Sequence, residues 1–246
     1  MRFKKFTEYC AGAGQDPLTC PAEVVVNFIA LQKDRGLKYS TVMGYRSAIA
    51  WFRADSIGTA SIVKRASKAC FNIDPPIARY SQMWDADTLL SSIESLPAES
   101  QLSTMELGVK LVSLIAILSL NRQSSLAALG SSFQLVDGNV HLPILKLEKT
   151  SKPGNMRKEI ILPRGSGASD LYNCLTSYIA RTREARDYYS KAEGEEHGML
   201  FISNLKPFQP VSPATLAKWL LRGLDGAGID TATYKAHSTR CVANIL

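Results

Sequence analysis

The chain is poor in cysteine: Cys10, Cys20, Cys70, Cys174 and Cys241 are odd in number, widely separated and show no C-x-x-C spacing. That usage argues against a disulfide framework or a thiolate zinc site and is the usage of a reducing compartment. Histidine is scarcer, three in 246 residues, and no metal-ligand cluster is visible. Long apolar runs are missing too. Met1 to Phe6 is followed by Thr7, Glu8 and Tyr9, so no secretory leader is seen. The most apolar stretch, Leu107 to Leu120, carries Lys110 and is too short to span a bilayer, so no membrane role is expected. No internal repeat or low-complexity segment appears.

What is present is an ordinary globular composition, 46% apolar and 21% charged, in a chain long enough for one large core or two modest ones. Lys plus Arg number 29 against 22 Asp plus Glu, a net charge of +7 with a pI near 9.2, which points mildly toward a polyanionic partner. From about Pro21 to Phe71 the apolar spacing is helical throughout. The clearest case runs from Ser40, read as an N-cap, to Phe52, with Val42, Tyr45, Ile49 and Phe52 at three- and four-residue steps. Arg46 and Arg53 fall off that stripe and, with Lys38, are expected on a basic outer face, which reads equally as a solvated surface.

The pattern breaks at Pro75-Pro76 and resumes at Asp85, an N-cap for a helix from Ala86 to Leu96. Three regions are therefore expected: a helical domain over 1–74, a linker over 75–85 and a second domain over 86–246. A helix from Thr104 to Asn121, apolar on nearly all sides, should be central to the second domain. Phe133 to Val136, Asp137-Gly138-Asn139 and Val140 to Leu147 read as a hairpin, because Asp-Gly supplies positive backbone angles. A turn around Pro153-Gly154 leads to a third strand, Lys158 to Leu162. Helices are expected again from Ala168 to Tyr189, from Pro213 to Leu224, and from Ala236 or His237 onward. The fold class is thus mainly α with a small antiparallel β-sheet.

Three basic sites stand out in the second domain. Arg122 ends the central helix, although capping of carbonyls or pairing with a carboxylate would explain it equally. Lys149, or Lys146 or Lys152, lies at a strand end or turn. His237 and Arg240 are spaced i, i+3, so both side chains share one helix face and could grip one anion.

The order and context of these sites resemble the tyrosine recombinase (phage integrase) family, most closely its eukaryotic branch found in DIRS-type retroelements and cryptons. The matching segments are Tyr39-Ser40-Thr41-Val42-Met43-Gly44-Tyr45-Arg46-Ser47-Ala48-Ile49; Pro75-Pro76 with Trp84-Asp85; Lys110-Leu111-Val112 through Asn121-Arg122, with Leu126 and Leu129 after it; Lys149-Thr150-Ser151-Lys152-Pro153-Gly154; and Ala236-His237-Ser238-Thr239-Arg240. The resemblance implies an all-α, SAM-like core-binding domain followed by an α+β catalytic domain. It also implies a site-specific recombinase or integrase, from a mobile element, that rejoins DNA strands through a 3′-phosphotyrosine.

In such a site Arg122 and Arg240 would stabilise the charge gathered on the scissile phosphate through bidentate hydrogen bonds. Lys149 would protonate the leaving 5′-oxygen, and His237 would donate a hydrogen bond or accept a proton. Neither ATP, a metal nor another cofactor is needed. The implied partner is double-stranded DNA, held by Lys38, Thr41, Arg46 and Arg53 from the first domain and by Lys152, Arg157 and Lys158 from the second, with a homo-oligomer, a tetramer, assembled on it. The location would be intracellular, and nuclear in a eukaryote.

Two features depart from the family pattern. Ser125 stands where an acidic residue is frequent, and the nucleophilic tyrosine, expected after Arg240, is not found before Leu246. Tyr234, Tyr188 and Tyr189 are read as packing or surface residues. The chain is therefore expected to be C-terminally truncated and to bind DNA without cutting it; the alternative is a non-catalytic DNA-binding protein that retains the fold.

Overall fold

The computed structural model describes residues 2–53, 55–77, 80, 82–147, 151–154, 158–194 and 198–242. The chain divides into two compact units, Met1–Arg79 and Tyr80–Leu246. The division falls inside the proline-interrupted stretch. Tyr80, Gln82 and Trp84 belong to the second unit and bond to its far end, so this part of the expected linker also serves as framework.

The first unit is built of α1 (Arg2–Gly12), α2 (Ala22–Asp34), α3 (Tyr39–Phe52) and α4 (Ser61–Ile73), with a 3-10 turn at Ile57–Thr59. Its core is aromatic. Phe28 meets Phe6 and Tyr45 edge-on at centroid distances of 5.2 and 5.5 Å, the geometry that sets a positive ring edge against a negative face. Val42, Tyr45 and Ile49 form the buried stripe of α3 as expected. Phe52 does not join it: 57% exposed, it stacks on Phe3 at 4.4 Å. Nor does Ser40 cap the helix, which begins at Tyr39 after an extended Lys38.

The second unit surrounds α6 (Thr104–Ser119), which is preceded by α5 (Ala86–Glu94) and followed by the short α7 (Gln123–Leu126). Asp85 caps α5 by accepting from Asp87 N–H at 3.0 Å. Ser103 and Glu106 form a reciprocal capping box on α6, satisfying free N–H groups of its first turn. Along α6, Leu107, Leu111, Val112, Leu114 and Ile115 are at most 1% exposed, as its all-round apolar pattern requires.

Strands β1 (Gln134–Val136), β2 (Asn139–Pro143) and β3 (Glu159–Pro163) form an antiparallel sheet in the order β1-β2-β3. Asp137 and Gly138 have φ of 49° and 76°, so the two-residue turn has the positive angles that match strand twist, and it pairs Val136 with Asn139. Strand β2 stops at Pro143, short of the expected Leu147. Val140, Leu142, Ile160 and Leu162 face the core, while His141 and Glu159 bond across the outer face at 3.2 Å.

Helices α8 (Leu171–Glu193) and α9 (Pro213–Gly226) both pack on α6. Their N-caps, Asp170 and Ser212, accept from Asn173 and Thr215 N–H, and Pro213 occupies the first turn of α9, where its missing N–H costs nothing. The expected last helix is two pieces, a 3-10 turn at Ala236–Ser238 and α10 (Thr239–Val242).

Candidate functional site

In the second unit, α6 ends at Leu120, a left-handed residue with φ 55°. This conformation costs a branched side chain roughly 1–2 kcal/mol and persists where surroundings fix it. Here the end of α6 is tied down by Arg240, whose Nε donates to the Leu120 carbonyl at 2.9 Å across 120 residues of sequence. The bond satisfies a carbonyl that a helix end leaves open, at the pole where the helix dipole favours cations.

Arg122 follows two residues later, extended and exposed at the N-cap of α7. Among the described residues its guanidinium makes no hydrogen bond or ion pair, and the terminal nitrogens of Arg240 make none either. The fold thus brings the two expected arginines to one helix end. Carboxylate pairing, the ordinary alternative for Arg122, is not what the described residues show.

His237 sits on the 3-10 turn rather than on one helix with Arg240, so the expected i, i+3 pair of a single α-helix is replaced by two successive turns. Its Nε2 lies 3.1 Å from the Tyr80 hydroxyl. The same turn is held by Trp84, whose Nε1 donates to Ser238 Oγ at 2.9 Å in a buried contact. Tyr234 is half-buried against the core, and its hydroxyl donates to the Gln82 carbonyl at 3.2 Å. Lys149 and Arg157 lie outside the described residues. Lys152, between those two positions, and Lys158, directly after Arg157, are exposed.

In the first unit the expected DNA-contact residues separate. Lys38 is exposed at the start of α3, and Thr41 is half-buried on its first turn. Arg46 turns its guanidinium to the Gly58 carbonyl. Arg53 corrects the expectation of a basic outer face: it is 7% exposed, donates to the Cys20 carbonyl at 2.8 Å and pairs with Asp55. The hydrogen bond to Asp55 raises the Arg53 guanidinium above its ordinary value, and Asp55 is lowered in return. An off-stripe position at a helix end can still be covered by a loop from another element, here the one ending at Cys20.

Sequence reasoning missed a second basic surface. Lys64, Arg65 and Lys68 are exposed on α4, and α4 contains no acidic residue to neutralise them. The signal was in the sequence: a thirteen-residue helix with three cations and no carboxylate. Tyr80 and Trp84 were also missed as supports of the His237 turn, because contacts across more than 150 residues leave no local pattern.

Among the described residues no group of three His, Cys, Asp or Glu gathers as a metal would require, and no helix is long and apolar enough to cross a membrane.

No protein-family model and no curated protein matches the sequence. By fold, the chain is similar to λ integrase (75–356) in a crystal structure of a dimer bound to a COC′ core site. The TM-score is 0.52 at 16% identity, covering 99% of this chain and 80% of that one. More distant are λ integrase (residues 75–356) bound to DNA, at TM-score 0.48 and 18% identity, covering 98% and 76% of the two chains, and the XerH site-specific recombinase in a pre-cleavage complex with difH, at 0.45 and 14%, covering 84% and 58%. The mainly helical fold with its three-stranded antiparallel sheet is therefore the tyrosine recombinase fold. At 16% identity the likeness establishes fold, not activity.

Proposed function

We propose that the chain is a DNA-binding protein of the tyrosine recombinase family, carrying the arginine and histidine part of a strand-transfer site. The observation that carries this reading is the joining of Arg240 to the end of α6, which sets its guanidinium at the same helix end as Arg122, itself without a partner among the described residues. Two guanidinium groups without carboxylate partners among the described residues offer planar donors to a phosphate and would bind it most strongly when its oxygens carry extra charge.

His237, held on the adjoining turn, would supply a hydrogen bond or take a proton, and Lys149 would protonate the leaving oxygen. Phosphates outside the site would be held by Lys38, Lys64, Arg65 and Lys68 from the first unit and by Lys152, Arg157 and Lys158 from the second. The division at residues 79 and 80 supports a core-binding unit over roughly 1–74 and a catalytic unit after the proline pair. The motif order supports descent from a mobile element of the eukaryotic DIRS and crypton branch, and with it a nuclear location. The similar λ integrase structure is a dimer on a core site, which supports a homo-oligomer on DNA, a tetramer during exchange.

A second reading, a DNA-binding protein without the chemistry, is favoured by the placement of the tyrosines. Tyr178 is fully buried. Tyr188 packs edge-on against Phe208 and lies under Lys206. Tyr234 is bonded to Gln82. None is assigned as nucleophile.

Both readings predict a duplex complex that weakens steeply with salt. A nicked suicide duplex tests them further: we expect a non-covalent complex and no protein–DNA adduct. An adduct would show that these 246 residues contain the nucleophile. No binding even at low salt would reject both readings.

A further inference from the structure

We infer that Tyr80 is a positioning residue for His237, an assignment that rests on the strand-transfer reading above. Three observations converge on it. The Tyr80 hydroxyl lies 3.1 Å from His237 Nε2. The same oxygen accepts the Lys235 N–H at 3.4 Å, two residues before the histidine, so one phenol reaches both the ring and the backbone that carries it. Its ring packs against both neighbours, 5.4 Å from Tyr234 and 6.0 Å from His237.

A 3-10 turn of three residues has little rigidity of its own, since it closes a single turn with poor hydrogen-bond geometry. Its direction is therefore set by what grips it. Trp84 holds the buried side of the turn through Ser238, but that bond leaves the imidazole rotamer open. Tyr80 addresses the ring itself. A hydroxyl that accepts from Lys235 has its own proton to give, so it suits a neutral Nε2 acceptor, and it can equally accept from a protonated ring. In both states the ring is held in one plane. A site group placed within about half an ångström of its working position needs such support. Tyr80 touches no reacting atom in this scheme; it acts through His237.

The test uses the 246-residue chain labelled with ¹⁵N, read by long-range ¹H–¹⁵N correlation of the three histidine rings, with His237 assigned by His237→Gln. In Tyr80→Phe, which keeps the stacking and removes the hydroxyl, the Nε2 resonance of His237 should move while the unfolding transition stays in place. Affinity for a plain DNA duplex should fall about three- to tenfold, the worth of one hydrogen bond. Tyr234→Phe, which removes the neighbouring hydroxyl, should change neither.

An unmoved Nε2 would overturn the assignment. So would a shifted Nε2 with unchanged affinity in a chain that does bind duplex. Failure of the wild-type chain to bind duplex would instead remove the strand-transfer reading, and the Nε2 shift alone would then decide whether Tyr80 holds the ring.

Discussion

Lys110 and Arg122 belong to the same stretch of chain, one inside α6 and one just past its end, yet they are used in opposite ways. Lys110 is 2% exposed and pairs with Glu99 at 2.7 Å. Arg122 is exposed, and its guanidinium has no partner among the described residues. A buried ammonium survives only because a carboxylate and a hydrogen bond replace water. A cation at the rim needs no such partner, and without one it remains available to an anion from outside. Arg53 belongs with Lys110, since its bonds to Asp55 and Cys20 are internal. The sign of a residue is thus a poor guide to DNA contact, and the list of its partners is a better one.

If that division is right, breaking the buried pair should damage folding and leave the DNA-binding mode intact. Glu99→Gln removes the charge that matches Lys110 and should cost about 3 kcal/mol, the lower end for a buried pair because Glu99 itself is partly exposed. Urea unfolding would read it as a lower midpoint at unchanged slope. A cost near zero would mean that Lys110 reaches water.

Acid should probe the same pair. Burial by itself would raise the Glu99 carboxyl, but the hydrogen bond and charge of Lys110 bring it below its ordinary value of 4.5. A depressed carboxyl contributes stability that is fully present above its unfolded value and is lost as pH falls through the folded one. Wild-type stability should therefore decline as pH drops below about 4.5, with part of that decline absent in Glu99→Gln.

A smaller effect is expected where α6 meets α9. A Cβ added at Gly223 would collide with Ser113 Oγ, a buried hydroxyl without a hydrogen-bond partner among the described residues. Gly223→Ala should cost about 1–3 kcal/mol by overpacking. Ser113→Ala in the same chain should recover part of it, because the colliding atom is gone and no hydrogen bond is lost with it. Equal losses with and without Ser113→Ala would show that the helices, not the hydroxyl, set the limit.

How much of this could be read from residues alone depended on range. The Asp137-Gly138 turn and the Asp85 cap are local devices, and both appear where the sequence placed them. The apolar circumference of α6 predicted its burial because periodicity reports the environment directly. Helix α1 went unassigned, since Arg2 to Gly12 buries only Phe6 and Cys10 and so shows little stripe.

Arg53 was misplaced for a different reason. Its helical phase points outward, but the covering loop belongs to another element. The union of Arg240 with Leu120, and of Tyr80 with His237, spans 120 and 157 residues. Motif order could say that Arg122 and Arg240 belong to one site, while only the fold shows the helix end that both occupy.

The central claim is that the exposed guanidinium groups of Arg122 and Arg240 at the end of α6 face DNA phosphate. It is tested most directly by the salt dependence of duplex binding in wild type and in Arg122→Ala with Arg240→Ala. Each lost phosphate contact should reduce the slope of log K against log salt by about 0.9, so the double variant should lose nearly two units of slope. Arg122→Ala alone should alter folding stability by no more than about 0.5 kcal/mol, as a surface change does. A double variant that binds duplex with the wild-type slope would contradict the account, because the two guanidinium groups would then not be meeting phosphate.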